Sequence, residues 1–310
     1  MTVLIKQKDS LEQSIKELEK IAKLPNLPRH TLDRVQVELR TLKAGMQGEK
    51  DAAYFIDFDY APSKNHAVIH DLRLEHQGRV AQIDHLLISR FLKFYVLESK
   101  NFTSGLKITK RGEFLAKYND SYIAIESPIE QNRRHAELLE KLLRDTNVLP
   151  TRLGITIRPV ILSYVLVSPK SIVQRPAKRN FNTDMVIKAD ELTRTLENQI
   201  TKEDALTTVG YIARVVSAET LGQIARTLVT FHKPTTTNYY ERFGIDLDKL
   251  AQSSTQNSMP SRRIERQEQT SGYFCFKCKK SISQKVAEFC FDDKKRFGGR
   301  AYCFNCQKSF

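Results

Sequence analysis

Four cysteines near the end of the chain have the spacing of metal ligands. They form two pairs, Cys275-Phe-Lys-Cys278 and Cys303-Phe-Asn-Cys306, with 24 residues between the pairs. Each pair lets two thiolates reach one ion at about 2.3 Å, and two pairs complete the tetrahedral set that Zn²⁺ accepts. A tail of about 35 residues cannot bury enough surface to fold alone, so metal binding would supply its folding free energy. The pattern predicts a zinc ribbon, with unrelated free cysteines or a redox pair as the alternatives.

The same tail carries one more cysteine and a basic segment. Cys290 stands between Phe289 and Phe291, which favours a small buried residue over an exchange of metal ligands. The segment 294–300 puts four cations and two glycines beside Phe297. These cations could track phosphates while Phe297 packs or stacks. Equally, Phe297 could fill the core of the ribbon while the cations are solvated, and the sequence leaves both readings open.

Two acids and a lysine lie in a stretch with the pattern of two neighbouring strands. Side chains alternate along a strand, so Glu98 and Lys100 project from one face and Ser99 from the other. By the same alternation, Asp84 shares its face with three residues of its own strand, Gln82, Leu86 and Ile88. Residues 89–92 can form a hairpin connection that brings the two strands side by side. The carboxylates of Asp84 and Glu98 can then meet.

These carboxylates stand among Leu, Ile, Val and Phe residues, where charge is costly unless a cation or a partner compensates it. Mg²⁺ is the natural candidate, because this hard ion takes one or two carboxylates and keeps several waters; Mn²⁺ would serve in its place. Such an ion can polarise a phosphodiester and lower the pKa of a bound water, while Lys100 steadies the attacking water or the developing charge. The alternative is a set of ordinary surface residues or ion pairs on a sheet edge.

The elements that must position these residues follow from the spacing of apolar side chains. Residues 9–24 are predicted to form an amphipathic helix with Ser10 as its N-cap, and a second helix follows Pro28. Gly48 marks either an interruption or a new start, after which residues 49–58 are again helical. Short β-type runs then follow at 67–75, 79–89, 93–99, 105–110 and 113–118.

A helix, a strand and a strand–helix pair complete the predicted core. Pro128 suits the first turn of a helix, and residues 160–168 form an apolar run suited to a strand buried on both faces. The last strand, at 185–188, leads into a helix whose N-cap could be Asp190. One or two further helices are expected in 202–232. The order predicts an α/β fold, a mixed sheet flanked by helices.

Composition and charge restrict the class of protein. The 310 residues carry 50 Lys and Arg against 36 Asp and Glu, a net charge of +14. This charge favours a polyanionic partner, because neutralised phosphates release condensed counterions; a basic, solvated surface is the alternative. The first residues lack the apolar stretch of about 7–15 residues found in signal peptides, and no run approaches the roughly 18 apolar residues that a membrane span needs. We therefore expect a cytoplasmic protein with reduced thiols and no membrane contact.

Five short motifs resemble a known family. They are Gly48-Glu49-Lys50, Gln82-Ile83-Asp84-His85-Leu86-Leu87, Val96-Leu97-Glu98-Ser99-Lys100-Asn101-Phe102, Gly105, and Ser127-Pro128-Ile129-Glu130-Gln131-Asn132. In this order they resemble the nuclease-related domain, NERD, over about residues 45–160. That family is similar to the PD-(D/E)xK nucleases, which implies a restriction-endonuclease-like fold. Ile83 stands where those nucleases often have a proline.

The resemblance implies a role for each matching polar residue. The implied roles are metal ligands for Asp84 and Glu98, the catalytic lysine for Lys100, an acid from the preceding helix for Glu49, and a polar member of the site on the following helix for Gln131. His85 and His135 would either pack around the site or take part directly. Domains of this family are often joined to DNA-binding zinc modules, which agrees with the predicted ribbon.

Together these observations predict a metal-dependent nuclease that acts on DNA, with a ribbon that aids nucleic-acid binding. The alternatives are a non-catalytic DNA-binding or adaptor protein built on a nuclease-like fold, and a ribbon that docks proteins. The predicted organisation is an N-terminal helical region (1–46), a NERD nuclease-like domain (47–200), a helical extension (201–250), a flexible linker rich in Ser, Gln and Arg (251–272) and the zinc ribbon (273–310).

Overall fold

The strands and helices of the computed structural model follow much of the apolar pattern of the sequence. The structure describes residues 4–9, 11–102, 104–201, 214–247, 250 and 273–310. The chain divides into two compact units, Met1–Gln252 and Ser253–Phe310. The predicted N-cap Ser10 and the predicted linker 251–272 lie outside the described residues. Within those residues, no helix combines the length and the apolar character needed to cross a membrane.

The first unit contains both strands and helices. Its strands are β1 Leu4–Lys6, β2 His66–His76, β3 Arg79–Ser89, β4 Lys93–Lys100, β5 Leu106–Ile108, β6 Phe114–Tyr118, β7 Ser121–Ile125, β8 Thr151–Arg152, β9 Ile155–Thr156, β10 Val160–Val167, β11 Val173–Gln174 and β12 Val186–Lys188. Its helices are α1 Glu12–Ala22, α2 Arg29–Tyr60, α3 Pro128–Asp145, α4 Leu192–Thr201, α5 Ala218–Thr230 and α6 Tyr239–Phe243.

Six of these strands form a mixed sheet in the order β1-β2-β3-β4-β10-β12. β2, β3 and β4 are antiparallel neighbours, whereas β10 runs parallel to both β4 and β12. The β3–β4 hairpin closes where the sequence predicts it, because the Leu92 N–H donates to the Ser89 carbonyl at 2.9 Å. β5, β6, β7 and β11 form a separate four-stranded sheet. β1 and β7 were not predicted, since β1 has only three residues and β7 is largely exposed and shows no buried face.

Helices cover both faces of the six-stranded sheet. α3 and α5 pack on one face, over a core that includes Leu86 and Phe94. α2 and α4 pack on the other face, over the next residues along each strand, Leu87 and Tyr95. Alternate side chains of the same strands therefore enter two separate apolar layers. This arrangement confirms the predicted mixed sheet flanked by helices.

α2 is one continuous helix of 32 residues, so both predicted alternatives at Gly48, an interruption and a new start, are wrong. A Cβ atom at Gly48 would lie 2.6 Å from Cβ of Asn101, directly after β4. Asn101 in turn donates from Nδ2 to the Ala44 carbonyl of the same helix at 3.2 Å. The glycine therefore permits a close approach between α2 and the end of β4, which a side chain would prevent.

The start of α4 also differs from the prediction. Ala189–Glu191 form a 3₁₀ turn that follows Lys188, and the Asp190 side chain does not cap it. Ala189 and Leu192 are both buried in the layer beneath α2. Burial of these two residues sets the path of the turn, and the capping preference of aspartate does not override it.

The pairing of β2 with β3 skips one residue on each strand. Asp71 and Asp84 have no Cα partner between pairs that are otherwise regular. Asp71 has a φ of 57°, in the left-handed region that aspartate adopts more readily than most side chains. A break of this kind bends the strands and re-aims the side chains beside it.

The break reverses the alternation along β3. Ile83 and Leu86, three positions apart, both lie in the core beneath α3 and α5. Gln82 therefore faces away from Leu86 and Ile88, and the prediction that Gln82 shares their face is wrong. Asp84 stands at the point where the alternation changes.

The second unit is small and folds around its own core. Its elements are β13 Tyr273–Phe274, β14 Ser281–Ile282, α7 Gln284–Asp292, α8 Lys294–Phe297 and α9 Phe304–Gln307. Phe297 is only 1% exposed and lies in the centre of this core, so it packs and does not stack on a ligand. Cys290 is fully buried, which confirms the prediction for that residue.

We expect Gly48→Ala to destabilise the first unit. The added methyl group overlaps Asn101, and overpacking of this kind costs about 1–3 kcal/mol. Gly45→Ala, one turn earlier in α2, is the matched control, because nothing lies within 4 Å of its Cβ position. This control should gain up to about 1 kcal/mol from helix propensity. Chemical denaturation measures both, and a gain in stability for Gly48→Ala would contradict the close contact.

Candidate active site and metal centre

The middle of β3 and the end of β4 bring two predicted site residues, Asp84 and Glu98, together. The pairing of these strands stops at His85 and Leu97. Beyond it, the Ser99 N–H donates to Asp84 Oδ2 at 2.8 Å. Burial, followed by repulsion from Glu98 and Glu49, raises the pKa of Asp84 well above its ordinary value. The Ser99 N–H therefore holds Asp84 beside other carboxylates, where the charge of Asp84 is unfavourable.

Glu98 is the most enclosed of the acids, with 3% of its surface exposed. Its Oε1 accepts a hydrogen bond from Lys100 Nζ at 2.7 Å. Its Oε2 lies 3.4 Å from His135 Nδ1 on α3 and has no hydrogen-bond partner among the described residues. Burial alone would raise the pKa of Glu98, but contact with His135 and Lys100 lowers it below its ordinary value. Glu98 thus stays charged in a place where one of its oxygens lacks a donor.

Glu49 reaches the same region from α2. Its carboxylate pairs with the ammonium of Lys8, from the segment after β1. Burial raises the pKa of Glu49, with further repulsion from Asp71 and Glu98, and Lys8 only partly opposes this. Three acidic side chains from α2, β3 and β4 therefore interact electrostatically at one place.

A cavity of about 490 Å³ opens onto two of these acids, Glu49 and Asp84, whereas Glu98 is not part of its lining. Its lining includes Glu49, Asp84, Asp71, Gln82 and Lys8, together with residues of the segment 232–236. Asp71 and Lys8 were missed by the sequence analysis, because each lies in a segment with no motif. The position of Asp71 in the middle of a predicted strand was the one available signal for this residue, since aspartate is rare in strands.

The fifth predicted residue, Gln131, lies on α3 one turn before His135. Its side chain makes no hydrogen bond to the acids within the described chain. The adjacent Asn132 is buried, and its Nδ2 donates to the carbonyls of Val96 and Tyr164, each at 2.9 Å. Asn132 therefore fixes α3 against β4 and β10, and this places His135 over Glu98.

The donor set at this place fits a hard divalent cation. Carboxylate oxygens are the ligands that Mg²⁺ prefers, and Glu98 Oε2 is a buried oxygen without a hydrogen bond. The mutual repulsion of Asp84, Glu98 and Glu49 would be relieved by added positive charge. Among the described residues, these acids do not converge as closely as the cysteines of the second unit do.

A chain of buried and partly buried hydrogen bonds lies on the α2 side of the sheet, next to the acids. Asp57 Oδ1 lies 3.0 Å from His70 Nε2, and His70 Nδ1 lies 2.7 Å from His85 Nδ1. His85 Nε2 lies 2.8 Å from Ser99 Oγ. Burial, then the neighbouring His70, lowers the pKa of His85 well below its ordinary value, so His85 is neutral.

One assignment of protons satisfies this whole chain. Ser99 Oγ–H donates to His85 Nε2, His85 Nδ1–H donates to His70 Nδ1, and His70 Nε2–H donates to Asp57. This chain of hydrogen bonds fixes the position of Ser99, whose backbone N–H donates to Asp84. His85 therefore acts on the site through Ser99, whereas His135 contacts Glu98 directly.

The four paired cysteines form the candidate metal centre of the second unit. Their sulfur atoms all lie within 4.8 Å of one another, and Cys278 Sγ lies 3.6 Å from Cys303 Sγ. Four thiolates on one zinc ion at about 2.3 Å place their sulfur atoms about 3.8 Å apart. The four cysteines could therefore bind zinc. Cys290 lies outside the cluster and accepts a hydrogen bond from Gln307 Nε2 at 3.1 Å.

The thiols influence one another strongly without a cation. Although burial opposes it, hydrogen bonds from backbone N–H groups and from Cys278 lower the pKa of Cys275 to about 6. The neighbouring thiols, Cys303 first, raise the pKa of Cys306 to about 12. Four thiolates therefore cannot coexist here unless a positive ion compensates them.

We expect His70→Ala to destabilise the first unit by about 1–3 kcal/mol, because it leaves the buried His85 without its partner. His30→Ala, at an exposed position on α2, is the control and should change stability by less than about 0.5 kcal/mol. Chemical denaturation measures both variants. Equal effects would show that the buried chain contributes nothing specific.

We expect the protein to bind about one equivalent of zinc. Cys278→Ser should lose most of this binding, since it removes one of four ligands from an exposed position. Cys290→Ser is the control and should retain the metal. Metal analysis after dialysis measures the stoichiometry, and loss of zinc from both variants alike would contradict the assignment of the four ligands.

Comparisons with known proteins were made for the whole chain. Searches of curated proteins and of solved structures return no match. A family model, described as the nuclease-related domain (NERD), matches residues 44–165. This range contains Glu49, Asp84, Glu98, Lys100 and Gln131. The part of the chain that builds the acidic site is therefore similar to the nuclease-related domain.

Proposed function

We propose that the protein is a metal-dependent nuclease that hydrolyses phosphodiester bonds of DNA. The observation that carries this proposal is the state of Glu98. It is a buried carboxylate that holds a lysine ammonium on one oxygen, leaves the other oxygen without a hydrogen bond, and stands beside two further acids. A structural ion pair would not need the extra acids, which weaken it by repulsion.

In this proposal each residue of the site has a separate role. Asp84 and Glu98 hold Mg²⁺ or Mn²⁺, and Glu49 adds negative charge from α2. The ion supplies polarisation of the phosphodiester and activation of water when it is bound. Lys100, kept in place by Glu98, stabilises negative charge that develops on the phosphate oxygens. Gln131 contributes a polar group from α3.

In this proposal the second unit binds nucleic acid. We propose that its four cysteines bind Zn²⁺ as a structural ion and that its cationic surface contacts phosphates. Reduced thiols agree with a cytoplasmic location. The proposed boundaries are those predicted above, with the nuclease-like domain at 47–200 and the ribbon at 273–310.

One observation favours a second candidate, a non-catalytic nucleic-acid-binding or adaptor protein. The Lys8 ammonium already pairs with Glu49 at the cavity. A lysine in this position compensates part of the acidic charge without a divalent ion. A binder would need no more than this, whereas an enzyme requires the ion as well.

Cleavage of labelled linear, circular and single-stranded DNA with Mg²⁺ or Mn²⁺, and with EDTA as the control, separates the two candidates. We expect Asp84→Asn and Lys100→Met to lower the cleavage rate by about 10²-fold or more, as removal of one charge-stabilising group usually does. Asp33→Asn, at an exposed position on α2, should cut like the wild type. Wild-type rates in Asp84→Asn would exclude the proposed site, and metal-independent binding without cleavage would favour the adaptor.

We also expect Asp84→Asn to unfold at the same or a higher temperature than the wild type. The neutral side chain removes the repulsion that raises the pKa of Asp84, and groups kept for function are often unfavourable for stability. Thermal unfolding monitored by circular dichroism measures the difference. A large loss of stability would assign Asp84 a structural role instead.

A further inference from the structure

The ribbon has an unusual surface composition. Residues 273–310 contain nine Lys and Arg, three Asp and Glu, and nine Phe and Tyr. None of the nine cations forms an ion pair within the described part of the chain, so all of them face solvent without a compensating acid. Basic and aromatic side chains interleaved in this way suit a polyanion whose units carry flat, apolar faces.

Phe276 is the aromatic residue over which two of these cations, Arg300 and Lys279, lie. It follows the ligand Cys275 directly and is 47% exposed. The guanidinium carbon of Arg300 lies 4.0 Å from the centre of its ring, and Lys279 Nζ lies 5.2 Å from the same centre. The basic segment that the sequence associated with Phe297 therefore places Arg300 on a different ring.

The position of Phe276 is fixed by contacts with the ribbon core. Its N–H donates to the Ala301 carbonyl at 2.8 Å, and its ring meets Tyr302 edge-on with centres 6.1 Å apart. Arg300 directly precedes Ala301, so the same backbone contact keeps the backbone of Arg300 beside the ring. The surface is therefore organised before any ligand arrives, which lowers the entropy cost of binding.

We propose that Phe276, Arg300 and Lys279 form a stacking site for an unpaired base of single-stranded nucleic acid. The ring and the guanidinium plane offer flat faces to a base, and the ammonium meets the adjacent phosphate. Bases inside a duplex present no free face, so the site selects single strands. This inference rests on the proposed function, since it assumes a nucleic-acid partner, and it assigns the strandedness of that partner.

The test uses the full chain loaded with zinc, with Asp84→Asn in the background so that the probe is not cut. Fluorescence anisotropy compares a labelled single strand of about 12 nucleotides with a duplex and with an abasic strand of equal length. We expect Phe276→Leu to weaken binding to the single strand about tenfold, as loss of one stacking interaction does, while the other two probes bind as before. Phe276→Tyr keeps the ring and should restore the affinity.

Two controls separate the stacking site from a general effect. Zinc content shows that each variant retains its fold. Phe304→Leu removes a ring that is 72% exposed and has no cation over it among the described residues, so the affinity should stay within about twofold of the parent. An equal loss in Phe276→Leu and Phe304→Leu, or an equal loss on all three probes, would overturn the stacking site.

The same measurements separate failure of this inference from failure of the proposed function. Equal affinity for duplex and single strand, unchanged by Phe276→Leu, refutes the stacking site and leaves nucleic-acid binding intact. Displacement of the single strand by an acidic peptide at equal concentration would assign the surface to a protein instead. Absence of binding to every probe refutes the role of the ribbon, whereas the cleavage assay tests the acidic site independently.

Discussion

The first unit is organised around largely buried carboxylates that repel one another. Asp84, Glu98 and Glu49 come from three different elements, and each shifts the ionisation of another. The compensating groups are the ammonium groups of Lys100 and Lys8. A fold that maximised stability alone would separate such acids, because the desolvation of buried charge costs more than pairing returns. This clustering of acids is the basis of the proposed cation site.

The surrounding structure holds this arrangement in place. Asn132 joins α3 to the backbone of β4 and β10, and Gly48 lets α2 approach the end of β4. On the α2 side of the sheet, the chain of hydrogen bonds from Asp57 to Ser99 positions the Ser99 N–H that donates to Asp84. Each of these contacts lies outside the acids themselves, yet each limits how far an acid can move.

In the second unit, the cysteine sulfur atoms are subject to a similar electrostatic repulsion. Four thiolates within 4.8 Å repel as the carboxylates do, but softer ligands in a tetrahedral set favour zinc. In a unit with so few buried residues, this ion would hold the fold together. The surface is thereby left free to carry exposed aromatic side chains such as Phe276, which a small core without metal would need to bury.

The sequence alone determined the features that arise from regular spacing. The two cysteine pairs, the β3–β4 hairpin, the order of strands and helices and the position of Glu98 and Lys100 on one strand all follow from local periodicity. Tertiary structure decided the rest. Lys8 meets Glu49 across about 40 residues. The break in pairing at Asp71 and Asp84 turns Gln82 to the other face, and Arg300 lies over Phe276, a ring outside the basic segment. Contacts between distant segments depend on how whole elements pack, and no local pattern encodes them.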